Sequence, residues 1–382
     1  MNRVALFAAA TIAMTLPAFA LDQEGFERIA ARVFEPVMAE YDIPGIAVGV
    51  VRDGEIFVFT AGVANAKTGT PVTRETLFEL GSVSKLFTVT LAAQAERDGL
   101  LSLDDPVGEH IPDLDGAAFG DLTLADLATH STGGMPLHVP EGVTSRAQLN
   151  AWLAKWKPAA PPATTRSYSN LSIGLLGAIV ADRLGTSYAE AMEGGLFPAL
   201  GLTDTFVRVP EERMDDYAMG TNRDGRPTRM NPGFLVEEAY GVRSTVVDMT
   251  RFLAAQLGTA SIDPGLAAAL ARTRTAYADT AHYAQAMIWE GYAWPVDRAA
   301  LEAGNSLDMA LKPQPITPRT PPAEPEGAMF WNKTGSTSGF GTYVALLPGE
   351  KIGVVVLANR GYPNPVRAAA TMELIEALIA AD

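Results

Sequence analysis

The chain has no cysteine, four histidines in 382 residues, and no apolar run long enough to cross a bilayer, which needs about 20 residues. The lack of cysteine excludes disulfides, a thiol nucleophile and a cysteine-linked lipid anchor. His110, His130, His138 and His282 fall in no H-x-H, H-x-x-x-H or H-E-x-x-H spacing, which speaks against a zinc site. None accompanies a G-x-S-x-G elbow, so a Ser-His-Asp triad has no recognisable frame. Neighbouring acids such as Asp104-Asp105 and Glu237-Glu238 are adjacent rather than convergent and read as solvated surface. No metal or organic cofactor is expected.

What is present suits a soluble enzyme: 48% hydrophobic and 19% charged residues, enough apolar content to fill a large core. The first twenty residues have the three parts of an export signal: Arg3, the apolar stretch from Val4 to Leu16, and Ala18-Phe19-Ala20 as a small-x-small cleavage site. Cleavage after Ala20 would leave the mature chain free in the periplasm, with no membrane anchor. The net charge of −15 becomes −16 when Arg3 leaves, a field that disfavours nucleic acid and anionic lipid. A small anionic substrate is still admitted, because screening over about 8 Å lets a few cations in a cleft outweigh a diffuse acidic surface.

Apolar residues from Phe26 to Met38 recur at three and four, predicting a helix from Asp22 to about Glu40. Ile46 to Val51 and Glu55 to Thr60 then read as strands around the turn Arg52-Asp53-Gly54. The other end mirrors this, with strands Thr342 to Leu347 and Ile352 to Ala358 and a helix Val366 to Ala380. Both ends are therefore helix plus antiparallel hairpin and are expected to share one α/β lobe, residues 21–99 and 220–382. Between them, residues 100–219 carry helical stretches (Leu122 to Thr129, Ser172 to Leu184, Tyr188 to Leu196) and read as an inserted helical lobe, with the active site in the crevice between lobes. Pro158 to Pro162 and Pro313 to Pro325 read as stiff surface loops.

Three segments carry chemistry. In Ser82-Val83-Ser84-Lys85 a helix would place Lys85 on the same face as Ser82, where its amine can activate a hydroxyl that is otherwise a poor nucleophile. In Tyr168-Ser169-Asn170 the phenol can move protons if nearby lysines lower its pKa from about 10. Lys333-Thr334-Gly335 runs into small residues and a strand, which lets a substrate approach backbone closely. Lys67-Thr68-Gly69 is the same tripeptide in a turn context, so the flanking strand, not the tripeptide, distinguishes the functional copy.

Together the three segments resemble the penicillin-recognising serine hydrolases, for which S-x-x-K and K-T-G are signatures. The resemblance is nearest to class C β-lactamases and extends to Phe78–Lys85, Gly133–Leu137, Trp156-Lys157-Pro158, Pro232-Gly233, Ala239-Tyr240-Gly241-Val242, Lys333–Phe340, Ala358-Asn359 and Tyr362-Pro363-Asn364-Pro365. It implies an antiparallel sheet flanked by helices with an inserted all-helical lobe, a β-lactam substrate, no cofactor and a monomer. By that resemblance Ser82 is the nucleophile, Lys85 and Tyr168 activate it, and Lys333 polarises Tyr168 and attracts the substrate carboxylate. Asn170 would bond Lys85 and the substrate amide, and Ser82 and Ser336 would supply the oxyanion N–H groups. Thr334, Gly335, Asn364 and Arg367 fall where substrate is held, and Tyr240 where its side chain packs. His138 stands where this family usually has glutamine, and it can donate in that place only in one tautomer or when charged. A D-alanyl-D-alanine carboxypeptidase, a penicillin-binding protein that stays acylated, and an esterase of the same fold are the alternatives.

Overall fold

Asp22 opens the first helix by accepting a hydrogen bond from the Gly25 N–H at 2.7 Å, and Gln23–Glu40 (α1) then turns Phe26, Ala30, Val33 and Phe34 inward. The structure, a computed structural model, describes residues 21–381, so the expected export signal lies outside the described residues. Gly45–Arg52 (β1) and Glu55–Asn65 (β2) form the expected hairpin. Asp53 and Gly54 both take positive φ between them, the conformation that a two-residue turn of this hand requires. Thr70–Pro71 (β3) follows through the turn that contains Lys67-Thr68-Gly69. That copy of the tripeptide is plain turn chemistry: Asn65 Oδ1 accepts from the Lys67 N–H, and Gly69 sits at φ +74°.

A 3₁₀ turn over Gly81–Ser84 leads into Lys85–Arg97 (α2), a helix buried along most of its length. Leu124–Ala128 (α3) starts at a reciprocal capping box between Thr123 and Asp126, and Asn170–Leu184 (α4) is capped by Ser169 and ended by Gly185 in the left-handed conformation. Tyr188–Ala191 (α5) is shorter than the sequence suggests, because Met192–Leu196 widens into a π turn before the chain leaves. Val236–Tyr240 (α6), Val246–Gln256 (α7) and Pro264–Arg272 (α8) return the chain to the sheet.

The remaining strands of the main sheet are Ala276–Asp279 (β4), Ala284–Gln285 (β5), Glu290–Ala293 (β6), Thr317–Ala323 (β7), Met329–Ser336 (β8), Gly341–Leu347 (β9) and Ile352–Ala358 (β10). Arg298–Gly304 (α9) and Leu307–Leu311 (α10) lie before β7, and Asn364–Ile379 (α11) closes the chain. The sheet order is β7-β4-β5-β6-β8-β9-β10-β1-β2-β3, with every neighbour antiparallel. One face packs on α1 and α11 through Phe26, Phe34, Val354, Leu374 and their neighbours; the other joins the core that holds α2, α4 and α7. Gly49 makes room for that second layer, since a Cβ there would lie 2.2 Å from Thr250 Oγ1 on α7.

One expectation fails here. The proline-rich stretch is no loop over most of its length: Thr317–Ala323 is the outermost strand, paired to β4 through Ala278↔Pro318 and Asp279↔Thr317. Proline's fixed φ is compatible with an extended edge strand, where only one side of the backbone has a partner to satisfy.

Candidate active site

Two close backbone approaches build the site. Gly81 opens the nucleophile turn at φ +53°, and a Cβ on it would stand 2.5 Å from the Ser336 nitrogen. Gly335 answers from β8, where a Cβ would stand 2.0 Å from the Leu80 carbonyl oxygen. Glycine at both positions lets the turn bearing Ser82 meet the Lys333-Thr334-Gly335-Ser336 strand backbone to backbone. Ser82 lies in the first part of the 3₁₀ turn, whose leading N–H groups have no partner inside it, and Ser82 and Ser336 line the same two cavities.

Lys85 is the first residue of α2 and is fully buried. Its ammonium donates to Ser82 Oγ at 3.0 Å and to the Ala239 carbonyl at 2.8 Å. Burial lowers its pKa, partly offset by Tyr168 and reinforced by the charge of Lys333. Lys85 Nζ and Lys333 Nζ lie 5.2 Å and 5.3 Å from the centre of the Tyr168 ring. Burial works against ionising this phenol, but the two ammonium charges and hydrogen bonds with Ser82 and Lys85 overcome it and bring its pKa below that of an ordinary tyrosine. Ser82, Lys85, Tyr168 and Lys333 are thus brought together as the sequence predicted, with a hydroxyl, an amine of depressed basicity and a phenol of raised acidity in mutual reach.

Tyr168 is held from behind by His130, whose ring centre is 4.4 Å away and whose backbone takes φ +61°. His130 Nδ1 accepts from the Ser169 N–H at 3.2 Å, which puts the ring proton on Nε2. Burial, then Arg166, Lys85 and Lys333, hold its pKa well below the usual histidine range, so it stays neutral and structural.

Sequence reasoning missed Arg166 and Glu290. Glu290 Oε1 lies 3.5 Å from both Lys333 Nζ and Arg166 Nη2, with all three side chains buried. Arg166 also donates to Gln285 Oε1 at 2.6 Å and to the Met309 carbonyl. The carboxylate offsets two cations beneath the phenol and ties Lys333 to β6. Arg166 stands two residues before Tyr168, the only local hint of its place; Glu290 has none, since the sheet alone brings it to Lys333.

The other expected residues divide. Thr334, Ser336 and Asn364 line a cavity of about 160 Å³ with Ser82, Lys333 and the α9–α10 connection. His138, Asn170 and Tyr240 line an adjoining cavity of about 350 Å³, which also touches Ser82 and Ser336. Asn170 does not bond Lys85 here: its Nδ2 lies 3.4 Å from His138 Nδ1, and its Oδ1 is buried without a partner, because the Ala239 carbonyl takes the place beside the ammonium. His138 has its pKa lowered by burial and by Lys85, so it is neutral, and a bond from Asn170 to Nδ1 leaves the proton on Nε2. Arg367 departs from its expected role in substrate contact. Its guanidinium is buried behind β8 and is occupied by the carbonyls of Gly335, Thr342 and Tyr362 and by Ser336 Oγ, so it fixes the strand instead of facing the cavity.

A family model described as Beta-lactamase matches residues 30–379. The beta-lactamase of Sulfitobacter sp. EE-36 is 52% identical to this chain, with a TM-score of 0.93 over 95% of this chain and 100% of that one. The class C beta lactamase of Rhodobacter sphaeroides is 50% identical, with a TM-score of 0.89 over 92% and 99% of the two chains. A D-alanine carboxypeptidase of Burkholderia cenocepacia is 43% identical, with a TM-score of 0.89 over 93% and 100%.

Proposed function

The chain belongs to the β-lactamase family as a class C serine enzyme that hydrolyses β-lactams, and from that premise we propose that it works through a covalent acyl-serine on Ser82, with cephalosporins preferred. The observation that carries this reading is the 3.0 Å bond from Lys85 Nζ to Ser82 Oγ, with Tyr168 between two ammonium groups. Ser82 Oγ attacks the lactam carbonyl carbon as its proton passes to the Tyr168 phenolate, whose charge the Lys85 and Lys333 ammonium groups hold. The oxyanion that forms is held by the N–H groups of Ser82 and Ser336, each such donor being worth about 3 kcal/mol. The C–N bond then breaks and Tyr168 protonates the departing nitrogen. Tyr168, again as phenolate, takes a proton from water as the water oxygen attacks the ester carbon, and passes that proton to Ser82 Oγ as the acyl–oxygen bond breaks, which restores the free serine and the phenolate.

Around this chemistry Lys333, Thr334 and Asn364 receive the substrate carboxylate, and Asn170 and His138 meet its side-chain amide. Tyr240 packs against the same side chain. Residues 21–99 with 220–382, and 100–219, are the two lobes in this reading, and the mature protein is a periplasmic monomer cleaved after Ala20. N-terminal sequencing of protein released from the periplasm checks the last point.

The decisive experiment mixes purified enzyme with a chromogenic cephalosporin and records many turnovers, while mass spectrometry of a quenched sample shows one acyl adduct on the Ser82 peptide. Turnover that survives Ser82→Ala would remove the mechanism. A second reading, D-alanyl-D-alanine carboxypeptidase activity, is favoured by the Burkholderia cenocepacia relative. Release of D-alanine from a D-alanyl-D-alanine peptide at a rate exceeding lactam turnover would promote it to the main activity.

A further inference from the structure

The nucleophile segment does more than supply Ser82 and Lys85. Ser84 Oγ accepts from the Val242 N–H at 3.1 Å, and the Leu80 N–H donates to the Val242 carbonyl at 3.0 Å. Lys85 donates to the Ala239 carbonyl at 2.8 Å, and Thr88, one helical turn further on α2, donates to the Glu238 carbonyl at 2.7 Å. Two successive carbonyls at the end of α6 are therefore capped by two side chains from one face of α2. Since Thr88 has a single hydroxyl proton and spends it on Glu238, the 2.8 Å contact between Thr88 Oγ1 and Tyr188 Oη has Tyr188 as donor. Tyr188 can fill that role throughout the working pH range, because burial raises its pKa far above the ordinary value.

The clamp has no slack. α6 is five residues long, is preceded by Leu235 in the left-handed conformation, and lies on α4 where Gly177 has no side chain. A Cβ at Gly177 would stand 2.8 Å from Glu238 Cβ and 3.1 Å from Thr88 Cγ2. The position of the Ala239 carbonyl is thus set one residue away, by the hydroxyl relay from Tyr188 through Thr88.

We propose that Thr88, with Tyr188 behind it, is a positioning residue for Lys85: it fixes the carbonyl to which the Lys85 ammonium donates beside Ser82. Releasing the Glu238 carbonyl slackens its neighbour, and an ammonium with a poorer acceptor gives up its proton more readily. The other groups that face Lys85 are Ser82 in its own turn, Tyr168 ahead of α4, Lys333 on β8, Tyr240 at the end of α6, and His130 and His138 from the loop before Tyr168. A substitution at Thr88 removes none of them, and the Glu238 carboxyl, raised to about 7 by burial on the residue whose carbonyl Thr88 holds, is separated from Lys85 by running the same profiles in a Glu238→Gln background.

This inference rests on the acyl-serine reading, and the test separates the two. The rate of acylation of Ser82 is measured against pH for the wild type, Thr88→Val, Thr88→Ser and Tyr188→Phe, with the adduct checked by mass. In Thr88→Val the limb governed by Lys85 is expected to move to lower pH and the rate to fall about tenfold, the size of one lost buried hydrogen bond. Thr88→Ser should restore both, and Tyr188→Phe should move the limb the same way by less. A Thr88→Val enzyme whose pH profile overlays the wild type overturns the proposal, even where its rate or melting temperature has dropped, because a loss of packing alone does not move that limb. Should Thr88→Val not fold, an unmoved profile in Tyr188→Phe has the same force. Absence of any adduct on wild-type Ser82 would instead strike the acyl-serine reading.

Discussion

At the scale of single residues, Tyr168 is set apart by its surroundings. The chain has ten tyrosines, and the other nine all have pKa values raised, most of them by burial. Only Tyr168, between two ammonium groups, is lowered. In an alkaline spectrophotometric titration the first tyrosinate to appear should therefore be a single group that Tyr168→Phe deletes. Lys333→Met removes one of the two charges and should shift that first phase to higher pH; a phase that stays put would show that Lys333 does not polarise the phenol. His138→Gln restores the residue usual in class C at that place and should change the Michaelis constant more than the acylation rate, and constants unchanged across several cephalosporins would rule this out. Ser82, Lys85, Tyr168 and Lys333 are legible in the sequence because each belongs to a short segment of fixed spacing. Glu290 is not, because its meaning is a cross-strand contact between β6 and β8. Arg367 misleads for the converse reason: an arginine in the right place in the chain is consumed by backbone carbonyls that only the fold reveals.

At the scale of elements, the meeting of the nucleophile turn with β8 should be intolerant of a single methyl. Gly335→Ala places a Cβ 2.0 Å from the Leu80 oxygen, so the strand must back away and carry Lys333 and Ser336 with it. A displacement near an ångström at reacting groups lowers kcat/KM by about 100-fold. Gly69→Ala, in the other Lys-Thr-Gly copy, meets nothing within 4 Å and suffers only its φ of +74°. It should lose about 1 kcal/mol of stability and no activity. Comparable kinetics for the two variants would deny that contact between the two segments matters.

The α6 clamp also carries a pH signature: burial pushes the Glu238 carboxyl up to about 7 from 4.5. Below about 4.5 this group is neutral folded and unfolded alike, whereas between about 4.5 and 7 the unfolded chain gives up its proton first, so stability falls as pH rises through that window. Glu238→Gln should flatten the melting temperature across the same window, and an unaltered slope would mean that other groups set it. The helices and hairpins at the chain ends follow from apolar period and turn residues. The short α6 is not visible that way, since five residues give no period.

At the scale of the molecule, a ten-stranded sheet has to be kept from adding an eleventh. Its outer strands are β7 and β3, and both contain proline: Pro318, Pro321 and Pro322 in one, Pro71 in the other. In the sequence the first of these segments has the look of a loop, because proline without a period resembles a breaker wherever the strand it borders is out of sight. In place it is an edge strand in which three of seven residues have no N–H to offer a neighbouring chain. The net charge of −15 adds repulsion between copies, but over distances that salt shortens to about 8 Å or less. The proline edge should therefore be the barrier that persists at high ionic strength. Replacing Pro318, Pro321 and Pro322 together by threonine keeps an extended backbone and returns three N–H groups to the edge strand, and since successive residues point their N–H groups to opposite sides, one of the adjacent pair 321 and 322 faces outward. That variant should associate in 1 M salt, seen as a mass rising with concentration in light scattering, while the wild type does not. Because the edge is far in the sheet order from β8, lactam turnover per folded chain should be unchanged. A triple variant that stays at the wild-type mass in high salt would mean that the prolines are tolerated at this edge without guarding it.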